Sequence, residues 1–183
     1  ITGKTVLNYP VDLCDKAATR TVFRAHPDIA GVIHFAALKY VGESVEKPLL
    51  YFRNNLDSLL NVLECMVEFG VKNIIFSSSC SVYGNATELP VTESTPFQTA
   101  ESPYARTKQM GEQILEDVCF QEKGLNAVIL RYFNPGGAHE STLIGEAATA
   151  ATNLVPVITE TAAGKRASMT VFGSDYPTRD GSC

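Results

Sequence analysis

The sequence has no Cys-x-x-Cys pair, and its five cysteines, Cys14, Cys65, Cys80, Cys119 and Cys183, are odd in number and far apart. A disulfide framework and a zinc ribbon are thereby excluded as organising elements, and the pattern fits free thiols in a reducing cytosol. Histidine is scarce: His26, His34 and His139 share no ligand spacing, so no metal site is expected. Positive charge is in deficit, with 15 Lys and Arg against 20 Asp and Glu and a net charge of -5, the wrong sign for a phosphate backbone or an anionic membrane. No nucleic-acid or membrane partner is expected. No apolar run approaches the ~20 residues that span a bilayer, and Ile1-Thr2-Gly3-Lys4-Thr5-Val6 lacks the charged-then-apolar order of a signal peptide. Internal repeats are absent as well. The chain opens on Ile1 rather than Met and closes at Cys183 after the turn-rich Tyr176-Pro177-Thr178-Arg179-Asp180-Gly181, as expected of an internal fragment of something longer.

What is present is ordinary globular material. The 183 residues are 45% hydrophobic and 19% charged, enough for one domain, or one and a piece of another. Short β-branched runs alternate with longer helical patterns, the signal for βαβ units around a parallel sheet. Strands are expected over Thr5–Val11, Gly31–Phe35, Asn73–Ser78 and Ala127–Arg131, with a weaker fifth over Met169–Phe172. Val-Ile-His-Phe, Ile-Ile-Phe and Val-Ile-Leu are near-continuous apolar runs suited to burial on both faces. Helices are expected over Asp15–His26, over Pro48–Phe69 with Gly70 as its stop, and from Ser102-Pro103 to the Gly124 stop. The texture changes between Asn134 and Arg166, where Pro135, Gly136, Gly137, an Ala/Thr-rich stretch over Ala147–Thr152 and Pro156 fall. The domain transition is placed there, giving 1–138 and 139–183. The loop from Cys80 to Glu101 is long, and long loops in compact domains are usually functional.

In an open parallel sheet the ligand lies at the carboxyl ends of the strands. Three polar clusters follow the strands here: Ala36 to Ser44, Ser77 to Gly84, and Tyr132 to Pro135. On the helix capped by Ser102, Tyr104 and Lys108 are four apart and project from one face. A free phenol titrates near ~10, and an adjacent ammonium favours the phenolate, so such a pair can serve as a base near neutral pH. An ordinary half-exposed helix would carry the same spacing by chance, and only the surrounding clusters raise it above that. Other features have plainer readings. Gly3-Lys4-Thr5 resembles the tail of a phosphate-binding loop, but the Val6-to-Val11 run that follows contains Pro10 and does not read as the required helix. Cys80 has no evident partner base and reads as a loop thiol. His34 reads as a hydrogen-bonded core residue, and Asn54 and Asn55 lie mid-helix, where Asn is a weak helix former, which points to function over packing for at least one of them.

Taken together, Val32-Ile33-His34-Phe35-Ala36-Ala37-Leu38-Lys39, Val41-Gly42-Glu43-Ser44, Ser77-Ser78-Ser79 with Val82-Tyr83-Gly84, Ser102-Pro103-Tyr104-x-x-x-Lys108 and Arg131-Tyr132-Phe133-Asn134-Pro135 resemble the extended short-chain dehydrogenase/reductase family. The likeness covers nearly the whole chain. The segment Leu38-Lys39-x-Val41-Gly42-Glu43-Ser44 is most similar to the members that invert C4 of UDP-hexoses. The resemblance implies an α/β fold with a doubly wound, Rossmann-like parallel sheet lacking its N-terminal βαβ, followed by the start of a smaller substrate-binding domain. It implies an NAD-dependent epimerase of galactose metabolism that interconverts UDP-glucose and UDP-galactose through a 4-keto sugar. Tyr104 would be the base at the 4-hydroxyl, Lys108 would hold the nicotinamide ribose and lower the Tyr104 pKa, and Ser79 would hydrogen-bond the reacting oxygen. Asp12 and Leu13 match adenine contacts; Phe35, Ala36, Ala37, Lys39, Asn54, Tyr132 and Phe133 match other cofactor contacts; Asn134, Asn153, Leu154 and Phe172 match positions that hold the UDP-sugar. A cytoplasmic homodimer built on the helices Pro48–Phe69 and Pro103–Glu122 is implied too. The family's Gly-x-x-Gly-x-x-Gly turn is absent from the chain, and Glu146 to Asn153 lacks the expected Pro and paired Asn. The rival readings are a nucleotide-sugar dehydratase, disfavoured because Ser79-Cys80-Ser81 stands where Thr-Asp-Glu would be needed, and a non-catalytic dinucleotide-binding module on the same fold.

Overall fold

Asp15 opens the first helix by accepting a hydrogen bond from the Ala18 amide at 3.0 Å, and α1 runs over Lys16–Ala25. The computed structural model describes residues 3–145 and 151–182. After α1 come β1 (Val32–His34), α2 (Val41–Glu46), α3 (Pro48–Phe52), a π-helical turn (Arg53–Asp57), α4 (Ser58–Phe69), β2 (Asn73–Ser79), a 3-10 turn (Cys80–Tyr83), α5 (Pro103–Gln121), β3 (Asn126–Tyr132) and α6 (Leu154–Ala162). Residues 4–133 form one compact unit and the remaining described residues another, the division falling between Phe133 and Asn134.

In the first unit, the three strands form a parallel sheet in the order β1-β2-β3, with Val32 beside Ile74 and Ile74 beside Ala127. The apolar runs therefore act as strands, and α1, α4 and α5 lie within the helices that periodicity and caps predict, whereas α2 and α6 lie outside them. Ser102 caps α5 by accepting from the Ala105 amide at 3.1 Å, with Pro103 in the first turn. Gly70 ends α4 in the left-handed region at φ 72°, a conformation open to Gly without the Cβ penalty. The core joins Phe23 of α1, Leu59, Val62, Leu63 and Met66 of α4, Ile74 and Phe76 of β2, and Leu115 of α5. Each such side chain, fully buried, contributes roughly 1.5–3 kcal/mol. Gly111 lets α5 lie directly on β2, because a Cβ there would stand 2.8 Å from the Phe76 ring.

Three expectations fail. Thr5–Val11 is not a strand: a strand exists by pairing, no described strand lies beside this segment, and Pro10 has no N–H to offer. Met169–Phe172 likewise forms no strand. Burial of the strands on both faces is not seen either, since Ile33 is 62% exposed and Val128 54%. Helices α1, α4 and α5 cover the face that carries Ile74 and Phe76, and the opposite apolar face is open. Burying both faces requires a second helical layer, which alternation in sequence cannot reveal by itself.

Two local features go beyond the sequence reading. The cluster after β1 contains α2, and the Pro48–Phe69 helix is interrupted by the π turn, which carries Asn54 and Asn55. In the second unit, Arg166 pairs with Glu160 of α6 at 3.1 Å and donates to the Ala151 carbonyl. The Ala147–Ala150 part of the Ala/Thr-rich stretch and Cys183 lie outside the described residues.

Candidate active site

Strand alternation splits the serine run at the end of β2. Ser78 turns into the helix layer and is buried, whereas Ser77 and Ser79 point to the open face. Ser79 then caps the 3-10 turn, its Oγ accepting from the Ser81 amide at 3.2 Å and from the Ser81 hydroxyl at 3.0 Å. Helix α5 brings Tyr104 and Lys108 to the same strand end. Lys108 Nζ donates to the Ser77 carbonyl at 2.6 Å, lies 5.0 Å from the centre of the Phe76 ring and 5.9 Å from that of Tyr104. Ser79, Tyr104 and Lys108 are thus one group at the carboxyl end of a parallel strand.

Electrostatics of this group differ from the sequence expectation in one respect. Burial pushes the Tyr104 phenol above its ordinary value, and the nearby Ser79 hydroxyl draws it part of the way back. The ammonium of Lys108 is directed at the Ser77 carbonyl and is itself pushed down to about 8 by burial. His34, stacked on Phe76 with ring centres 6.0 Å apart, is pushed down to about 4 by burial and then by the Lys108 charge. It is a core residue, as its place in the strand implies, but among the described residues it is held by stacking on Phe76 and not by the expected hydrogen bond.

Several of the predicted cofactor contacts lie at the carboxyl ends of β1 and β3, the strands on either side of β2. Phe35 and Tyr132, exposed at the ends of β1 and β3, have ring centres 6.1 Å apart, and Phe133 stacks on Tyr83 at 6.3 Å. Ala36 and Lys39 are exposed and Ala37 half-buried on the segment that follows β1. That segment is clamped by Asn55, which donates to the Leu38 carbonyl and to Thr107 Oγ1, both at 3.1 Å, and accepts from the Leu38 amide at 2.8 Å. Asn54 donates to Asn55 Oδ1, and its backbone carbonyl accepts from Cys14 Sγ at 3.5 Å. Asp12 accepts from the Cys14 amide, and Asn61 holds the Leu13 carbonyl at 2.8 Å, so the predicted adenine contacts are tied to the same helix. Asn134, Asn153, Leu154 and Phe172 belong to the second unit, all exposed, with Asn153 preceding the first turn of α6.

The residues present fit a dinucleotide at its nicotinamide end. One of the three Lys108 donors is taken by Ser77, leaving N–H groups for ribose hydroxyls, and the small side chains of Ala36 and Ala37 permit close approach of a ligand. Among the described residues no cluster of three or more His, Cys, Asp and Glu could hold a metal. No described helix is long and apolar enough to cross a membrane.

Sequence reasoning missed two supporting sets. One is the Asn55 clamp, for which the Asn doublet in mid-helix was the available signal. The other is Glu112, buried and ion-paired to Arg131 at 2.8 Å, for which a carboxylate one turn beyond Lys108 gave no sign of burial.

A parallel, Rossmann-like α/β unit with a Ser, Tyr and Lys group at a strand end defines the class. The chain belongs to the NAD dependent epimerase/dehydratase family, whose model matches residues 4–181. It is 49% identical to the UDP-glucose 4-epimerase of Yersinia pestis and 48% identical to that of Schizosaccharomyces pombe, each match covering 99% of this chain and 54% and 52% of the relative. The crystal structure of UDP-glucose 4-epimerase from Bifidobacterium longum in complex with NAD+ and UDP superimposes with a TM-score of 0.92 at 49% identity, over 98% of this chain and 54% of that one. The enzyme from Stenotrophomonas maltophila with bound NAD and formylated UDP-arabinopyranose gives 0.90 at 43% identity, over 98% and 53%. The chain spans about half the length of the relatives it matches.

Proposed function

We propose that this chain forms the NAD-binding and acid–base part of an epimerase that inverts C4 of UDP-glucose and UDP-galactose, in galactose metabolism. The observation that carries this reading is the meeting of Ser79, Tyr104 and Lys108 at the end of β2, with Phe35, Tyr132 and Phe133 exposed around it. A bound nicotinamide supplies the two-electron acceptor and donor. Tyr104 would take the proton of the sugar 4-hydroxyl as C4 is oxidised to the 4-keto sugar, and would return it when C4 is reduced from the other face. Ser79 hydrogen-bonds the reacting oxygen. Lys108, whose ammonium lies 5.9 Å from the centre of the Tyr104 ring, would hold the ribose and favour the Tyr104 phenolate.

The UDP-sugar would be held by Asn134, Asn153, Leu154 and Phe172 of the second unit. A homodimer is supported by the cleft of about 500 Å³ between α4 and α5, where Leu60 and Val67 are exposed. The free thiols Cys14, Cys65, Cys80 and Cys119 support a cytoplasmic setting. The test is UDP-galactose turnover by the complete protein carrying this chain, with NAD occupancy read by absorbance. Tyr104→Phe keeps the ring and loses the proton acceptor, so kcat should fall about 10²- to 10⁴-fold with NAD retained. A variant keeping more than half the rate removes Tyr104 from the mechanism.

A further inference from the structure

Beside the reacting group lies a buried ion pair to which the proposed mechanism gives no role. Glu112 is 1% exposed and sits one turn beyond Lys108 on α5. Its carboxylate accepts from Arg131 Nε at 3.1 and 3.2 Å, from Arg131 Nη2 at 2.8 Å, and from the Ser78 hydroxyl. Arg131 Nη1 donates to the Tyr83 hydroxyl and to the Glu93 carbonyl, both at 3.1 Å. The guanidinium lies between the Tyr83 and Phe97 rings, 5.1 and 5.2 Å from their centres. One side chain of β3 therefore reaches the turn after β2, the long loop and α5, and through Glu112 it is linked to Ser78 of β2.

Four members of this network adjoin site residues. Ser78 precedes Ser79, Arg131 precedes Tyr132, Tyr83 stacks on Phe133, and Glu112 follows Lys108 by one turn. Burying two charges carries a large desolvation cost, and apolar residues of similar volume commonly stabilise a fold as well or better. Stability alone therefore does not call for this pair. Its bidentate geometry does supply what apolar packing lacks, a fixed distance and angle between three elements.

We propose that Glu112 and Arg131 are positioning residues, which hold the end of β2 and the loop after it against α5 so that Ser79 keeps its alignment with Tyr104 and Lys108. This rests on the epimerase reading for its kinetic consequence but not for its structural one. A misplacement of about 1 Å far from the reacting atoms can cost on the order of 10²-fold in rate.

The test compares the complete protein with Arg131→Lys and with the double variant Glu112→Leu, Arg131→Met. The double variant should melt within a few degrees of the parent, retain NAD and keep KM within about threefold, while kcat falls about 10²-fold. Arg131→Lys, which keeps the charge but loses the fork, should recover about a tenth of the parent rate. A second readout needs no activity: labelling of Cys80, which follows Ser79, by a thiol reagent should become several-fold faster in the double variant. An unchanged kcat per folded site, or unchanged Cys80 labelling, overturns the proposal. Should the parent show no UDP-galactose turnover, the functional reading fails and the Cys80 rates still decide the positioning role. Should the double variant not fold, Arg131→Lys carries both readouts with the same criteria.

Discussion

His34 offers a measurement of the sheet's interior that is independent of any ligand. The ring is 4% exposed, stacked on Phe76 beneath β1, and its pKa is pushed from 6.5 to about 4, first by burial and then by the Lys108 charge. Above pH 6.5 the ring is neutral in both the folded and the unfolded chain, and its contribution to stability is fully present. As the pH falls below that value, the unfolded chain takes up the proton while the folded one does not, so stability declines. The loss is complete once the pH is below about 4, where both states are charged. At about 1.4 kcal/mol per tenfold, the interval corresponds to roughly 3 kcal/mol. His34→Gln has no such titration. Urea unfolding of parent and variant across pH 7 to 4 should therefore give a stability difference that shifts by about 3 kcal/mol, with the carboxylates common to both cancelling. A difference that stays flat to within about 0.5 kcal/mol, or a His34 pKa near 6.5 by NMR, would refute the assignment of desolvation as the controlling effect.

Other consequences can be checked in parallel. Gly111→Val drives a Cβ to 2.8 Å from the buried Phe76 ring, which has no room to withdraw, and should lower stability by about 1–3 kcal/mol in urea titration; an unchanged midpoint would show that α5 can lift away from β2. The complete protein should sediment as a homodimer at micromolar concentration, with Leu60→Glu and Val67→Glu on the exposed side of α4 shifting it to monomer; a parent already monomeric would dispose of that interface. The 183 residues by themselves should retain NAD weakly and leave UDP-galactose unconverted, because they contain no glycine-rich turn for the pyrophosphate and leave one apolar face of the sheet open. Turnover equal to that of the complete protein would show that the site needs nothing outside them.

Local chemistry, readable residue by residue, determined much of this molecule. Three strands lie where β-branched runs placed them, because an apolar run between turn signals has few other ways to bury itself. Asp15, Ser102 and Gly70 mark helix ends because capping is settled within four residues of sequence. The i, i+4 spacing of Tyr104 and Lys108 put both on one face of α5 for the same reason. What depended on a partner was decided only by the tertiary structure. Thr5–Val11 has strand composition yet no described neighbour to pair with, and Ile33 and Val128 have core composition yet no layer above them. Tyr104 lies above its ordinary pKa because the folded chain buries the phenol, and the Lys108 ammonium four residues on is directed at the Ser77 carbonyl. Glu112 and Arg131 are 19 residues apart, and nothing short of the packing of α5 onto β2 and β3 makes them a buried pair. Propensity, caps and spacing act over a turn or two, whereas pairing, burial and ionisation are properties of what the rest of the chain brings alongside.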